Sequence, residues 1–214
     1  RFAAGAAAGA ACCGLASVQW IPYLPEEDYY HLQRGTAFEE SGDLVSAAAE
    51  YERAIETVGD HTGTLPLAGL ARIIAAQGDP GKAIFYYAKA LQNDPTSIEM
   101  NNAIALLYAG RDEFDKAIEH YLIALQSAPT DSRLLNNLGL AYAGQEDYAR
   151  AIETYRKAAA LEPQFGLIAC NLALALARQG NFDEALQEFD RGKNAADPGA
   201  EPDQTLGALL ESMR

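Results

Sequence analysis

Asn136 and Asn137 stand side by side in LLNNLGLAYA, residues 134–143, a run otherwise suited to buried helix. An amide side chain competes for backbone hydrogen bonds and is a middling helix former, so two in succession need a reward from elsewhere. The chemistry open to them is recognition, because an amide both donates to and accepts from a peptide backbone whatever its sequence. Catalytic candidates are scarcer. Cys12, Cys13 and Cys170 give neither a disulfide framework nor a CxxC metal spacing. His31, His61 and His120 lie far apart with no metal motif around them, and His31 and His120 are expected to be exposed helix residues. There is no GxGxxG, Walker loop, HExxH or GxSxG. No nucleophile–base pair or carboxylate pair at an apolar site is recognisable, so we expect no enzyme, no cofactor and no metal.

The composition narrows the partners. The chain has 214 residues, 49% of them hydrophobic with alanine dominant, and a net charge of −14. Such an acidic surface repels nucleic-acid phosphate and anionic lipid. Neither is expected as a partner. No stretch reaches the roughly 18 apolar residues that a spanning helix needs.

The elements that must position these residues follow from a repeat. Ala83, Ala117, Ala151 and Ala185 follow one another at 34 residues, and Ala47 precedes them. Four residues after each comes an aromatic: Tyr51, Tyr87, Tyr121, Tyr155 and Phe189. Small residues recur three further on, from Ala54 to Gly192, and twelve before, from Gly35 to Ala173. Pro95, Pro129 and Pro163 close three copies, and Gly42–Asp43, Gly78–Asp79, Asp112–Glu113, Glu146–Asp147 and Gly180–Asn181 interrupt each. This is the pattern of a helix hairpin. Small residues let two helices cross closely, the aromatic fills the space beside them, and proline stops the second helix.

In period and signature positions, save a leading tryptophan, the pattern resembles the tetratricopeptide repeat (TPR). The resemblance implies an all-α, right-handed superhelix of five repeats at 28–61, 64–97, 98–131, 132–165 and 166–199. The first copy departs most, with Arg34 at a core leucine position. Leu206, Leu209, Leu210 and Met213 share one helical face, so residues 200–214 are expected to form the cap that a repeat array needs.

In this family the first helix of each hairpin lines the concave groove, through positions 2, 5, 6, 9, 12 and 13 of the repeat. That mapping places Asn102, Asn136, Asn137 and Asn171 on the groove wall, outside the core. Leu106, Leu140 and Leu174 take position 9, and Arg72, Arg133 and Arg178 also fall on groove positions. The asparagines would hold a partner's backbone, the leucines its apolar side chains, and the arginines an acidic group. The alternatives are that the asparagines face water and that the arginines pair with neighbouring acids such as Glu99. The chaperone-tail clamp of some TPR domains does not fit, since Thr36 and Ala103 stand where two of its members belong. Cys170 reads as a small helical hydrophobe.

Residues 1–27 differ from the rest. RFAAGAAAGAACCGLAS opens on Arg1 rather than Met, and we expect the chain to start inside a longer precursor. A basic residue, an apolar run, small residues and then cysteine resemble the end of a bacterial lipoprotein signal peptide, with Cys12 the lipidated residue. A linker or the stub of a membrane anchor are the alternatives. VQWIPYLPEEDYY then reads as an extended segment held by Trp20 and Tyr23. The function these readings imply is a non-catalytic scaffold that binds a partner segment in its groove within a multiprotein complex. It resembles TPR lipoproteins that assist pilus or secretion-channel assembly, tethered at the periplasmic side of a bacterial envelope. A cytoplasmic adaptor or co-chaperone, or a structural subunit using its convex face, are the alternatives.

Overall fold

A computed structural model describes residues 26–58 and 63–195. The expected cap, Cys12 and the segment around Trp20 lie outside the described residues. Those described form ten helices: α1 Glu26–Glu40, α2 Leu44–Val58, α3 Thr64–Ala76, α4 Pro80–Leu91, α5 Ile98–Ala109, α6 Phe114–Ser127, α7 Ser132–Gly144, α8 Tyr148–Leu161, α9 Gly166–Gln179 and α10 Phe182–Lys193. Each odd-numbered helix packs on the next as an antiparallel hairpin, and each hairpin packs on its neighbour, giving a superhelical stack. The first helix starts at Glu26, two residues before the repeat boundary read from the sequence.

The repeat signature is the core. Ala47, Ala83, Ala117, Ala151 and Ala185 are fully buried, as are Ala54, Ala90, Ala124 and Ala158. The aromatic beside them is buried in all five hairpins. The crossing is tight enough that a Cβ on Gly139 would sit 2.5 Å from the Tyr155 ring, and one on Gly35 2.6 Å from Tyr51. An aromatic ring wedged where two backbones approach explains why only Gly or Ala occupies that facing position.

The turns are equally regular. Gly42, Gly78, Asp112, Glu146 and Gly180 occupy the same place in successive repeats, and all five have positive φ, between 59 and 93°. The next residue's N–H then bonds back to a carbonyl in the last turn of the first helix: Asp43 to Phe38, Asp79 to Ile74, Glu113 to Tyr108, Asp147 to Tyr142 and Asn181 to Leu176. This left-handed closure satisfies a carbonyl that the helix end would leave unpaired. The same residue begins the second helix. Asp43, Asp79 and Asp147 accept from the backbone N–H three residues on, so one residue closes one helix with its N–H and caps the next with its side chain.

The first hairpin departs from the rest, as Arg34 foretold. His31 Nδ1 lies 2.6 Å from Glu50 Oε2, while Arg34 and Arg53 approach Oε1 at 3.3 and 2.8 Å. These partners, His31 foremost, hold the carboxyl of the buried Glu50 below the usual carboxylate range. His120 repeats the pattern two hairpins on, with Nδ1 2.9 Å from Oδ1 of the fully buried Asn101. Both histidines are thus partly buried and partnered, not exposed as the sequence suggested. The equivalent positions in the second and fourth hairpins carry Leu67 with Tyr86 and Leu135 with Thr154.

Candidate functional site

Accessibility along the first helices picks out one stripe. On α7 the accessible residues include Arg133, Asn137, Leu140 and Gly144, and on α9 Leu167, Asn171, Leu174 and Arg178. Spacings of four, three and four residues keep such a set on one face of a helix. Between them Leu134, Leu138, Ala141 and Tyr142, and likewise Ile168, Leu172, Ala175 and Leu176, are buried in the hairpin core. The first helices α5, α7 and α9 touch in turn, so their stripes join into one wall.

That wall is apolar at its centre. Leu106, Leu140 and Leu174 keep 49, 47 and 44% of their surface exposed, one per hairpin. Three more large apolar residues on this face, Tyr29, Leu65 and Leu167, are exposed at 41, 62 and 44%. The sequence reading missed these three, although they share position 2 of their repeats and could have been read from that column. Half-exposed leucines recurring at one register leave apolar surface uncovered, a mark of a binding face rather than of scatter.

The asparagines divide. Asn136 is only 5% exposed, which corrects the expectation that it lies outside the core. Its Oδ1 accepts from Asn171 Nδ2 at 2.9 Å, bridging α7 and α9. Position 5 lies between adjacent first helices, so its amide serves the contact between hairpins. Asn137, one residue on and rotated about 100° around the helix, is accessible on the wall. Asn102 is partly exposed, with Oδ1 enclosed and lacking a hydrogen-bond partner among the described residues. Asn101, which the sequence reading passed over, has the fully structural role. Its Nδ2 donates to the carbonyls of Pro95 and Ser97 at 3.0 and 2.9 Å, locking the start of α5.

The arginines divide too. Arg72 is committed inside the chain: Nε and Nη2 donate to the two carboxylate oxygens of Glu39 at 2.5 and 2.8 Å, and Glu99 lies 3.6 Å away. Glu39 also accepts from Tyr51 Oη at 2.7 Å. Arg72 holds the Glu39 carboxyl below its ordinary pKa. Pairing with neighbouring acids is therefore what the structure gives for Arg72, and the clasp ties three hairpins together. Arg133 is open, with 81% of its side chain exposed and only Asp131 near, at 4.0 Å. Arg178 is exposed and makes no ion pair among the described residues.

Burial pushes the Cys170 thiol above its usual pKa, so the nucleophilic thiolate is disfavoured. Among the described residues no group of three or more His, Cys, Asp or Glu side chains is placed to hold a metal ion. No helix among them is long and apolar enough to cross a membrane.

Family models described as tetratricopeptide repeat match residues 67–97, 101–166 and 137–201, together more than half of the chain. The fold is similar to that of a tetratricopeptide repeat protein from Parabacteroides merdae (23% identity, TM-score 0.77, covering 88% of this chain and 74% of that one). It is also similar to MamA from Desulfovibrio magneticus (19%, 0.76, 81% and 97%). A third is YrrB, described as a TPR protein with an unusual peptide-binding site (15%, 0.73, 85% and 90%). No curated protein matches the sequence.

Proposed function

The chain belongs to the tetratricopeptide repeat family, and from that premise we propose that it is a non-catalytic scaffold holding an extended partner segment along the inner wall of repeats three to five. A protein–protein interaction scaffold is what the family and the fold support. The observation that carries the groove reading is the row Leu106, Leu140 and Leu174, half-exposed at one register on successive hairpins. Apolar surface left in water at a fixed period offers side-chain pockets to an extended chain. Asn137 supplies a free amide for its backbone; beside the leucines Asn102 offers its Nδ2, and Asn171 its Oδ1 and the N–H not given to Asn136. The peptide-binding site named for YrrB is in keeping with this use of the fold.

On the location, we place the scaffold at the periplasmic side of a bacterial envelope, tethered by a lipid on Cys12, as an assembly factor of a multiprotein complex of the pilus or secretion type. The Ala/Gly run ending at Cys12 supports that reading. Intact mass of the protein purified from its native host tests it. A mature chain beginning at a diacylated or triacylated Cys12 is expected, and residues 1–11 retained without modification would end the tether.

The groove is tested by a photo-crosslinking amino acid placed at Leu140 or Leu174, with Leu122 on α6 as the control. Leu122 is 44% exposed, so all three sites are comparably open. Crosslinks to a common protein from the two groove sites, lost in Leu106→Glu, are expected. Crosslinks from Leu122 alone would move binding to the second helices. Asn137→Ala should weaken the partner by about 0.5–1.5 kcal/mol without loss of stability.

A further inference from the structure

The inner wall is electrically divided in a way the whole-chain charge conceals. Across the groove positions of the first three repeats stand Glu39, Glu40 and Glu99 against Arg72, and Arg72 is spent on Glu39 and Glu99. Across the same positions of repeats four and five stand Arg133 and Arg178 and no acid at all. In a chain of net charge −14, this is a local reversal of sign. Both arginines are exposed, and their only ion-pair neighbour among the described residues is Asp131. The Asp131 carboxylate already accepts from the backbone N–H groups of Arg133 and Leu134 as the cap of α7.

The two arginines bracket the apolar pair. Arg133 occupies position 2, at the start of α7, and Arg178 position 13, at the end of α9, with Leu140 and Leu174 at position 9 between. Positions 2 and 13 are eleven residues apart, roughly 16 Å along a helix axis, and the step from α7 across to α9 adds about 8–10 Å sideways, so the two arginines stand roughly 19 Å apart. An extended segment covers that distance in about six residues. A guanidinium can engage a carboxylate through two N–H groups at once, in a contact that salt screens where both groups are exposed.

Resting on the groove reading above, we propose that the wall of repeats four and five takes an extended acidic–aliphatic segment of a protein partner. Its aliphatic side chains lie against Leu140 and Leu174, and its flanking carboxylates meet Arg133 and Arg178. The partner's chemistry thus opposes what the net charge alone would select. A −14 surface attracts basic chains at long range, while this stretch of wall selects an acidic one at contact.

Selection of random phage-displayed dodecapeptides on the full chain decides the matter, with the folded Leu140→Glu/Leu174→Glu variant for counter-selection. The expected groove-dependent binders carry Asp or Glu on both sides of aliphatic residues, about six residues apart. They should lose roughly tenfold in affinity to Arg133→Ser and to Arg178→Ser and weaken as salt is raised. Both arginines are exposed, so these variants should melt like wild type. Groove-dependent binders that are neutral or basic, or that keep their affinity for Arg133→Ser/Arg178→Ser, would overturn the acidic assignment while leaving the groove in place. A selection yielding no binder that depends on the leucines would overturn the groove reading, and the acidic assignment with it.

Discussion

At the scale of single residues, one backbone requirement recurs five times and is met by three glycines, Asp112 and Glu146. A non-glycine residue in the left-handed region costs about 1 kcal/mol, because its Cβ crowds the following carbonyl. Glu146, with φ of 60°, has no short side chain to bond locally and offset that strain. Glu146→Gly should therefore stabilise the chain by about 0.5–1 kcal/mol, even after glycine's larger unfolded-state entropy. Urea midpoints measure it, and a lower midpoint for the variant would show that Glu146 is held by something other than its backbone. His120 makes a second prediction. Desolvation lowers its pKa below the ordinary 6.5. The unfolded chain then binds the proton more readily, so this contribution to stability is present above pH 6.5 and is lost as pH falls below it. Between pH 7.5 and 5.5 wild type should lose more stability than His120→Gln. Equal losses would place His120 in water in the folded state.

At the scale of elements, the hairpin crossing sets two terms against each other. Alanine is a better helix former than glycine by about 1 kcal/mol, which favours Gly139→Ala. Against that, the added methyl would meet the Tyr155 ring at 2.5 Å, and overpacking typically costs about 1–3 kcal/mol. Tyr155 is itself only 1% exposed, so it has nowhere to move. The steric term should win, and Gly139→Ala should lower the urea midpoint. A raised midpoint would mean that the α7–α8 crossing relaxes, as the hairpins carrying Ala71, Ala105 and Ala173 already have. Asn136 belongs at this scale too. Its bond to Asn171 joins neighbouring hairpins, so Asn136 reads as a register pin between repeats, while Asn137 beside it stays free for a ligand.

At the scale of the whole molecule, net charge and ion pairs predict opposite responses to salt. Surface pairs such as Lys157–Glu153 and Arg150–Asp147 are worth about 0–1 kcal/mol each and weaken when screened. A net charge of −14 on an extended stack repels itself, and screening relieves that. Seven of the twelve ion pairs among the described residues join side chains no more than four positions apart, contacts that the unfolded chain also keeps near one another, so the global term should prevail. Raising NaCl from low to physiological strength should raise the unfolding midpoint, and a fall would show that the ion pairs dominate.

The sequence by itself determined the repeat and the small–aromatic–small set at the heart of its core. A hairpin is a local object, and its small–aromatic–small spacing is written within one stretch of about 34 residues. The leucine row was legible for the same reason, since a helical face follows from spacing alone. What only the tertiary structure decided was which polar residues are spent inside the protein. Asn136 turned out to answer Asn171 and Arg72 to clasp Glu39 between neighbouring hairpins, while His31 meets Glu50 and His120 meets Asn101 between the two helices of one hairpin. An amide or guanidinium has the same spacing signature whether its partner is a ligand or a neighbouring helix. Only the packed array fixes which partner is within about 3 Å.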